Sequence, residues 1–572
     1  MFKKFIRFYA AVSPIPFKWH IYRISNRFKL WIYHRLPFLF YTLIQKESDS
    51  IVVGVPRNDR VGRLHESIKR YYSGIDYHLV EVGDEVLTLE ILGVQKSFQP
   101  REISQLPFNE NGNQLRRMSL AYCGFLHELL EKTTQSADVV LGSIIDSYSA
   151  KKAWYNKEVF STSWHPYCVS HRLINYISLL LLKQNSNWSF SFDSRILINE
   201  ILFALVFLQK NIERELHYNH YSKNMIAIYI TRVVLGLGVS HSFKKELKYS
   251  ISHQINSDGM QAELSPMYHL LFLNDLNILC SIRDSDSELN TFFSDTYSRL
   301  ESVAKLLIFN QSSLPAIGDS WTGEATKPPV KQKKVVTAVL KDSGYLIHHG
   351  ENLSFLLDFG RAGAFANPGH SHSDFLHCQL YLDGRPILVD YGVPTYTKGD
   401  SRNKSRASFV HNGPAILERS LLETWSSFRT GRESIASLVS YEQSGANVSV
   451  KASVEPYFKR GLKISREIEC SDRTIHIKDS WDAEMLGGLT PYLQFIVPKA
   501  NVSNLTLQSD CSGRRFLELL GGWTIYFEAL EVRLLESEYY SRYGVPEDGV
   551  VLSLIPRNFG ALLLAELRLT KG

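Results

Sequence analysis

"NPGHSHSDFLHCQLYLDGRPILVDYG", residues 367–392, is the stretch from which the fold is read. Two short alternating runs meet at Asp383-Gly384. Asp-Gly between such runs is a strong hairpin signal, because both central positions of the favoured two-residue turn need positive φ. Ahead of the hairpin, His370, His372 and Asp374 occupy every second position. In an extended segment residues i and i+2 project the same way, so these three can enter one space. That suits metal binding or proton transfer, although His-x-His-x-Asp taken alone fits a polar surface loop better. The hairpin folds Asp390, at the end of the return strand, back toward His372. His411, in "SFVHNGP", would then complete a set of two imidazoles and one carboxylate, a normal zinc environment.

Outward from this stretch, residues 326–572 read as further short alternating runs with turn residues between them, such as "SGYLIHHG", "ANVSVKASVEPYF" and "GWTIYFEAL". So many short strands imply a large antiparallel sandwich. Upstream, from about 115 to 310, apolar residues recur at three and four, as in "SHRLINYISLLLLKQ" and "DSRILINEILFALVFLQKNIEREL". Similar helix lengths and short polar connections predict paired antiparallel helices in a ring or a solenoid. "GEATKPPVKQKK", residues 323–334, reads as the join. The expected division is 1–110, amphipathic helices and a mixed segment; 111–325, helical; 326–572, β.

A chain of 572 residues exceeds what one hydrophobic core supports. Its 44% apolar and 21% charged residues are those of a folded protein. A net charge of +6 without a dense Lys/Arg run argues against a nucleic-acid arm and is compatible with an acidic substrate. The 12% aromatic share suits a cleft that holds sugar rings. Six scattered cysteines form no CxxC pair, so neither a zinc ribbon nor a disulfide framework is indicated. At the amino end, charges and prolines interrupt each apolar run before ~18 residues, and no small-x-small cleavage site follows. The segment is read as amphipathic helices packed on the body or, less favoured, resting on a membrane surface.

Two further constellations stand in the helical part. In "HYNHYSKN", residues 217–224, Asn219, His220 and Asn224 surround a helix start. In "DGMQAELSPMYHLL", residues 258–271, Ser265 fits an N-cap and Pro266 a first turn, which puts Tyr268 and His269 in the opening turn.

In combination and order these pieces resemble the heparinase II/III-like polysaccharide lyases. That family has an Asn-His pair, a Ser-Pro-x-Tyr-His segment, a Gly-Asp turn, a Gly-His-x-His-x-Asp loop, a Val-Asp-x-Gly strand end, a Tyr and a His-Asn pair. Here they read Asn219-His220, Ser265 to His269, Gly318-Asp319, Gly369 to Asp374, "LVDYG" with Asp390, Tyr396, and His411-Asn412. "WHPYCVSHRLINYI", residues 164–177, is similar to its early helix.

The resemblance implies an (α/α) toroid followed by an antiparallel β-sandwich, with the cleft between them, and β-elimination at a uronic acid of an acidic polysaccharide. There, the C5 proton leaves only if the adjacent carboxylate is neutralised. Asn219 and His220 match the neutralising residues, Tyr268 and His370 the proton-transfer residues, with Tyr396 beside them. Trp164, Arg172, Asn224 and His269 are expected to bind substrate. His372, Asp390 and His411 match zinc ligands, the metal being structural, and Asp374 is expected to orient a histidine from the shell behind them. As base, Tyr268 would need its pKa lowered from ~10 toward 7 or 8, a shift of roughly 3–4 kcal/mol; as acid it needs none. Two departures stand out. No acidic run follows Asp319, so it is given no role, and Leu264 replaces an arginine frequent before the Ser-Pro. Relatives usually work in the periplasm or cell envelope; with no cleavable signal, a cytoplasmic location is the alternative. The competing readings are a glycan hydrolase using Asp374 or Asp390 with zinc-bound water, and a non-catalytic polysaccharide-binding protein.

Overall fold

The computed structural model describes residue 9 and residues 12–13, 15–54, 63–75, 77–83, 85–105, 114–131, 135–154, 157–185, 193–309, 313–330, 335–365 and 367–571. The first eight residues of the basic amino end and residues 331–334 of the expected join lie outside them.

The chain is an (α/α) toroid followed by an antiparallel β-sandwich. Long helices Pro166–Asn185, Ser194–Lys210, Tyr218–Val234, Pro266–Cys280 and Ser287–Leu307 form the inner helical body. Several are apolar over more than one face because they are covered on several sides, whereas Ser287–Leu307 buries a single stripe. The Ser194–Lys210 helix, for example, buries Leu197 and every residue from Ile201 to Leu208. Local signals set the starts. Asp193 and Ser265 accept hydrogen bonds from backbone N–H groups of their own first turns, and Pro266 takes the first helical position, where its missing N–H costs nothing. The mixed segment resolves into a helix, Leu64–Ser73, and a three-stranded antiparallel sheet, Tyr77–Val82, Leu87–Ile91 and Val94–Phe98.

The β part holds a five-stranded sheet in sequential order, Val336–Leu340 through Arg385–Leu388, together with sheets of four and nine strands. The Asp383-Gly384 turn joins Cys378–Leu382 to Arg385–Leu388 with both residues at positive φ, 49° and 76°, as its sequence predicts. Beyond it Val389 bridges Ile496 of the four-stranded sheet, which carries Asp390 across from one sheet to the other. Trp481, Trp523 and Phe495 fill the sandwich core with alternating aliphatic residues.

Candidate active site

Residues 367–377 form an irregular loop, not a strand. His370 and His372 nevertheless converge, and the point of convergence is a carboxylate. Asp319 Oδ2 lies 3.0 Å from His370 Nδ1, and Asp319 Oδ1 lies 2.9 Å from His372 Nε2. Arg402 donates to both oxygens, at 2.5 and 2.8 Å, and Asp319 and Arg402 are both fully buried. Burial alone would raise the Asp319 carboxyl, but Arg402 and the two histidines more than reverse this and hold it well below the usual carboxylate range. The preceding Gly318 has φ +58°, and a side chain there would meet the His370 carbonyl at 2.8 Å. Asp319 N–H donates to that same carbonyl at 2.9 Å, so turn and loop are fastened to each other.

His370 faces a cavity of about 560 Å³ between the toroid and the sandwich. Tyr268 stands beside it, ring centroids 4.1 Å apart, with Tyr396 at 6.2 Å and Phe428 at 5.9 Å. The buried Tyr396 hydroxyl lies against Tyr268. Burial, then the carboxylates of Glu263 and Asp319, push the Tyr268 phenol well above its ordinary value, so Tyr268 is a neutral donor.

The opposite wall comes from the start of the Tyr218–Val234 helix. His217 and Tyr218 both have positive φ, 53° and 45°, a strained entry that sets the Asn219-His220 pair against the cavity. His220 Nδ1 lies 3.2 Å and His165 Nε2 3.5 Å from Glu213 Oε1. Burial alone would lower His220, but Glu213 more than reverses this and holds it above the ordinary imidazole value. An imidazole whose charged form Glu213 favours therefore sits next to Asn219, whose amide oxygen is buried without a partner.

Behind the loop, His372, Asp390 and His411 each offer a donor atom within 4.8 Å of the others, and all three are buried. Asp390 Oδ1 accepts from His411 Nδ1 at 2.7 Å. His372 Nδ1, Asp390 Oδ2 and His411 Nε2 are buried with no protein partner, and burial lowers the His372 pKa, which favours its neutral, ligating form. Two imidazoles and a carboxylate, each with one idle buried atom, fit a zinc ion. His165, Glu213 and His220 are also close enough to share a metal, but no buried atom of that trio lacks a partner.

The cavity thus brings together Asn219, His220, Tyr268, His370 and Tyr396. Four expected substrate-binding residues lie elsewhere. Trp164 is 1% exposed and packs edge-on to Trp154, Phe203 and Phe207. Arg172, 2% exposed, donates to the Ala121 and Ser163 carbonyls and lies over the Trp164 ring. Asn224 is fully buried and braces Glu213, accepting from its backbone N–H at 2.8 Å. His269, also fully buried, is used up between Gln261 N–H and the Leu300 carbonyl. Each is a core or bracing residue, because a polar group on an inward helix face is satisfied by backbone as readily as by ligand. Asp374 is corrected too: its carboxylate accepts from Gly318 N–H at 2.9 Å, so it braces the turn that carries Asp319, and His377 donates its backbone N–H to the Asp374 backbone carbonyl and not to the carboxylate. Sequence reasoning passed over Asp319, Arg402 and Glu213. The Gly318-Asp319 turn was a signal for the first; nothing local marks the other two.

The family profile described as "Heparinase II/III N-terminus" matches residues 140–341, and the one described as "Heparinase II/III-like, C-terminal" matches residues 334–556. Among solved structures, a heparinase III matches at 15% identity and a TM-score of 0.63, with 95% of this chain and 91% of that one covered. A heparan sulfate lyase HepC from Pedobacter heparinus matches at 14% identity and 0.52, covering 93% and 88%. A heparinase III described as the BT4657 gene product matches at 14% and 0.54, covering 95% and 90%. At these identities the likeness shows the fold. No curated protein matches the chain.

Proposed function

Since the chain belongs to the heparinase II/III-like family and is by that membership a polysaccharide lyase, a carbon–oxygen lyase, we propose that it cleaves a uronic-acid-containing glycan by β-elimination. The observation that carries this reading is the pairing, across one cavity, of a carboxylate-held imidazole beside an amide with a neutral phenol beside an imidazole. His220 and Asn219 take the uronate carboxylate and lower the cost of negative charge spreading into it as C5 loses its proton. His370 is the base. Asp319 at Nδ1 fixes the tautomer that leaves Nε2 free to accept that proton. Tyr268, kept neutral, is the acid that protonates the departing C4 oxygen. The products are a chain with a new reducing end and one with a C4–C5 double bond. Incubation with uronic-acid polysaccharides is expected to raise ultraviolet absorbance from that bond. New reducing ends without absorbance would favour hydrolysis, and binding with neither would make the chain a binding protein.

The Glu213–His220 pair sets an expected pH dependence. His220 is raised in the folded protein, so its charge persists above the ordinary ~6.5 and is lost as pH climbs through the raised value. In Glu213→Gln the largest raising influence is gone, burial is opposed only by the smaller pulls of Glu263 and Glu215, and His220 falls. The alkaline limb of kcat/KM should move to lower pH, with roughly 10–100-fold lower kcat/KM at pH 8. A uniform loss at all pH values would make Glu213 merely structural.

His372, Asp390 and His411 would hold zinc, which when bound supplies a fixed positive charge behind the loop. These residues anchor the loop that presents His370 and take no part in proton transfer. Dialysis against a strong chelator should release about one zinc per chain and lower the melting temperature, since a ligand bound only to the folded state stabilises it. A metal-free chain with unchanged melting and activity would dismiss the metal.

A further inference from the structure

The amino-terminal helix Phe17–Arg35 has two apolar faces. One buries Trp19 and Tyr33 against the toroid, where Asn26 donates to Glu215 and Tyr33 accepts from Asn211. The other carries Phe17, Ile21, Ile24, Phe28 and Trp31, exposed by 79, 51, 70, 62 and 55%. At 100° per residue these five fall within an arc of about 80°, opposite Trp19 and Tyr33. Packing on the body therefore leaves the stripe uncovered. It continues across the Leu36-Pro37 corner into Phe38, Leu39 and Leu43 of the next helix, exposed by 79, 50 and 52%.

Charge says what covers it. From residue 17 to 46 the chain has six cations, Lys18, Arg23, Arg27, Lys29, Arg35 and Lys46, and no carboxylate. On the helical wheel Lys18 and Lys29 fall to one side of the stripe and Arg27 to the other, while the Arg35 guanidinium lies over the Trp31 ring, 5.5 Å from its centroid. The sequence before it adds Lys3, Lys4 and Arg7. A second copy of this chain would bring like charge against like charge. An apolar stripe with indole and phenyl rings, flanked by Lys and Arg, matches the acyl boundary and headgroups of an anionic bilayer. No described helix is long and apolar enough to cross a membrane, so the contact lies in the interface plane.

We propose that helix Phe17–Arg35 and the start of the next helix dock this protein on an anionic lipid surface. Trp19 stacks on His217, which also lines the catalytic cavity, so docking holds that cavity close to the membrane. The full chain is expected to sediment with vesicles of equimolar phosphatidylcholine and phosphatidylglycerol, far less with phosphatidylcholine alone, and less as salt rises. The double variant Phe28→Glu, Trp31→Glu should lose at least about tenfold in partitioning while keeping its melting temperature and turnover of soluble glycan. Absence of binding to anionic vesicles, equal binding by the variant, or a wild-type dimer that the variant dissolves without any vesicle binding would each overturn the proposal. The vesicle assay needs no turnover, so its failure is separate from failure of the lyase reading.

Discussion

Tyr268→Phe is expected to bind uronic-acid glycan nearly as well as the parent chain and to turn it over about 10²–10⁴-fold more slowly, the range a positioned general acid supplies. The substitution removes one oxygen and leaves the ring that packs 4.1 Å from His370, so the cavity wall and the Asp319–His370 contact should survive. The loss should fall on kcat with KM little changed, as for an interaction made only in the transition state. The raised phenol pKa gives a second readout. If Tyr268 acted as the base, parent activity would climb steeply at high pH as the phenolate formed; as the acid, it gains nothing there. Glycan binding with parental turnover in Tyr268→Phe would remove the residue from the mechanism, and a climb at high pH would exchange its role with that of His370.

What the sequence revealed was whatever is written in local spacing. The Asp383-Gly384 turn, the Ser265-Pro266 helix start and the helical period from 115 to 310 depend on neighbours in the chain, and the structure places all of them as expected. His372, Asp390 and His411 could be grouped because one hairpin brings two of them together. Spacing failed where a side chain's role depends on what lies across the fold. Asn224 and His269 have the same polar character as Asn219 and His220, yet they point inward, where Glu213, Gln261 and Leu300 satisfy them. Arg402 was invisible for the converse reason. It stands in a short helix within "KGDSRNKS", which reads as a solvated turn, and only tertiary packing turns it toward Asp319. The alternation of His370 and His372 gave the right convergence for the wrong local geometry. An irregular loop brings both rings to one carboxylate from opposite sides, and the alternation's third member, Asp374, turns away to Gly318.

Asp319→Asn is expected to have the largest effect on stability, about 3–5 kcal/mol, because it leaves the Arg402 guanidinium fully buried without a counter-charge. Neither partner can reach water, and Arg402 cannot discharge by losing a proton. Denaturant unfolding should show the loss as a lower midpoint for the part that contains the site. Turnover should fall as well, by roughly 10²–10⁴, since an amide offers one neutral acceptor and one donor where the carboxylate offered both histidines an acceptor, and the His370 tautomer is no longer fixed. A second variant separates the two effects. Asp319→Asn with Arg402→Met removes both charges and keeps an unbranched chain against the Tyr396 and Phe428 rings that Arg402 overlies. Replacing a buried pair by apolar packing is often neutral, so this double variant should regain most of the stability. It should regain little activity, because nothing in it restores the carboxylate at His370 Nδ1. Recovery of stability without turnover assigns Asp319 to orienting the base. Recovery of both would leave it only the task of neutralising Arg402, and the imidazole would then have to be held by the loop alone.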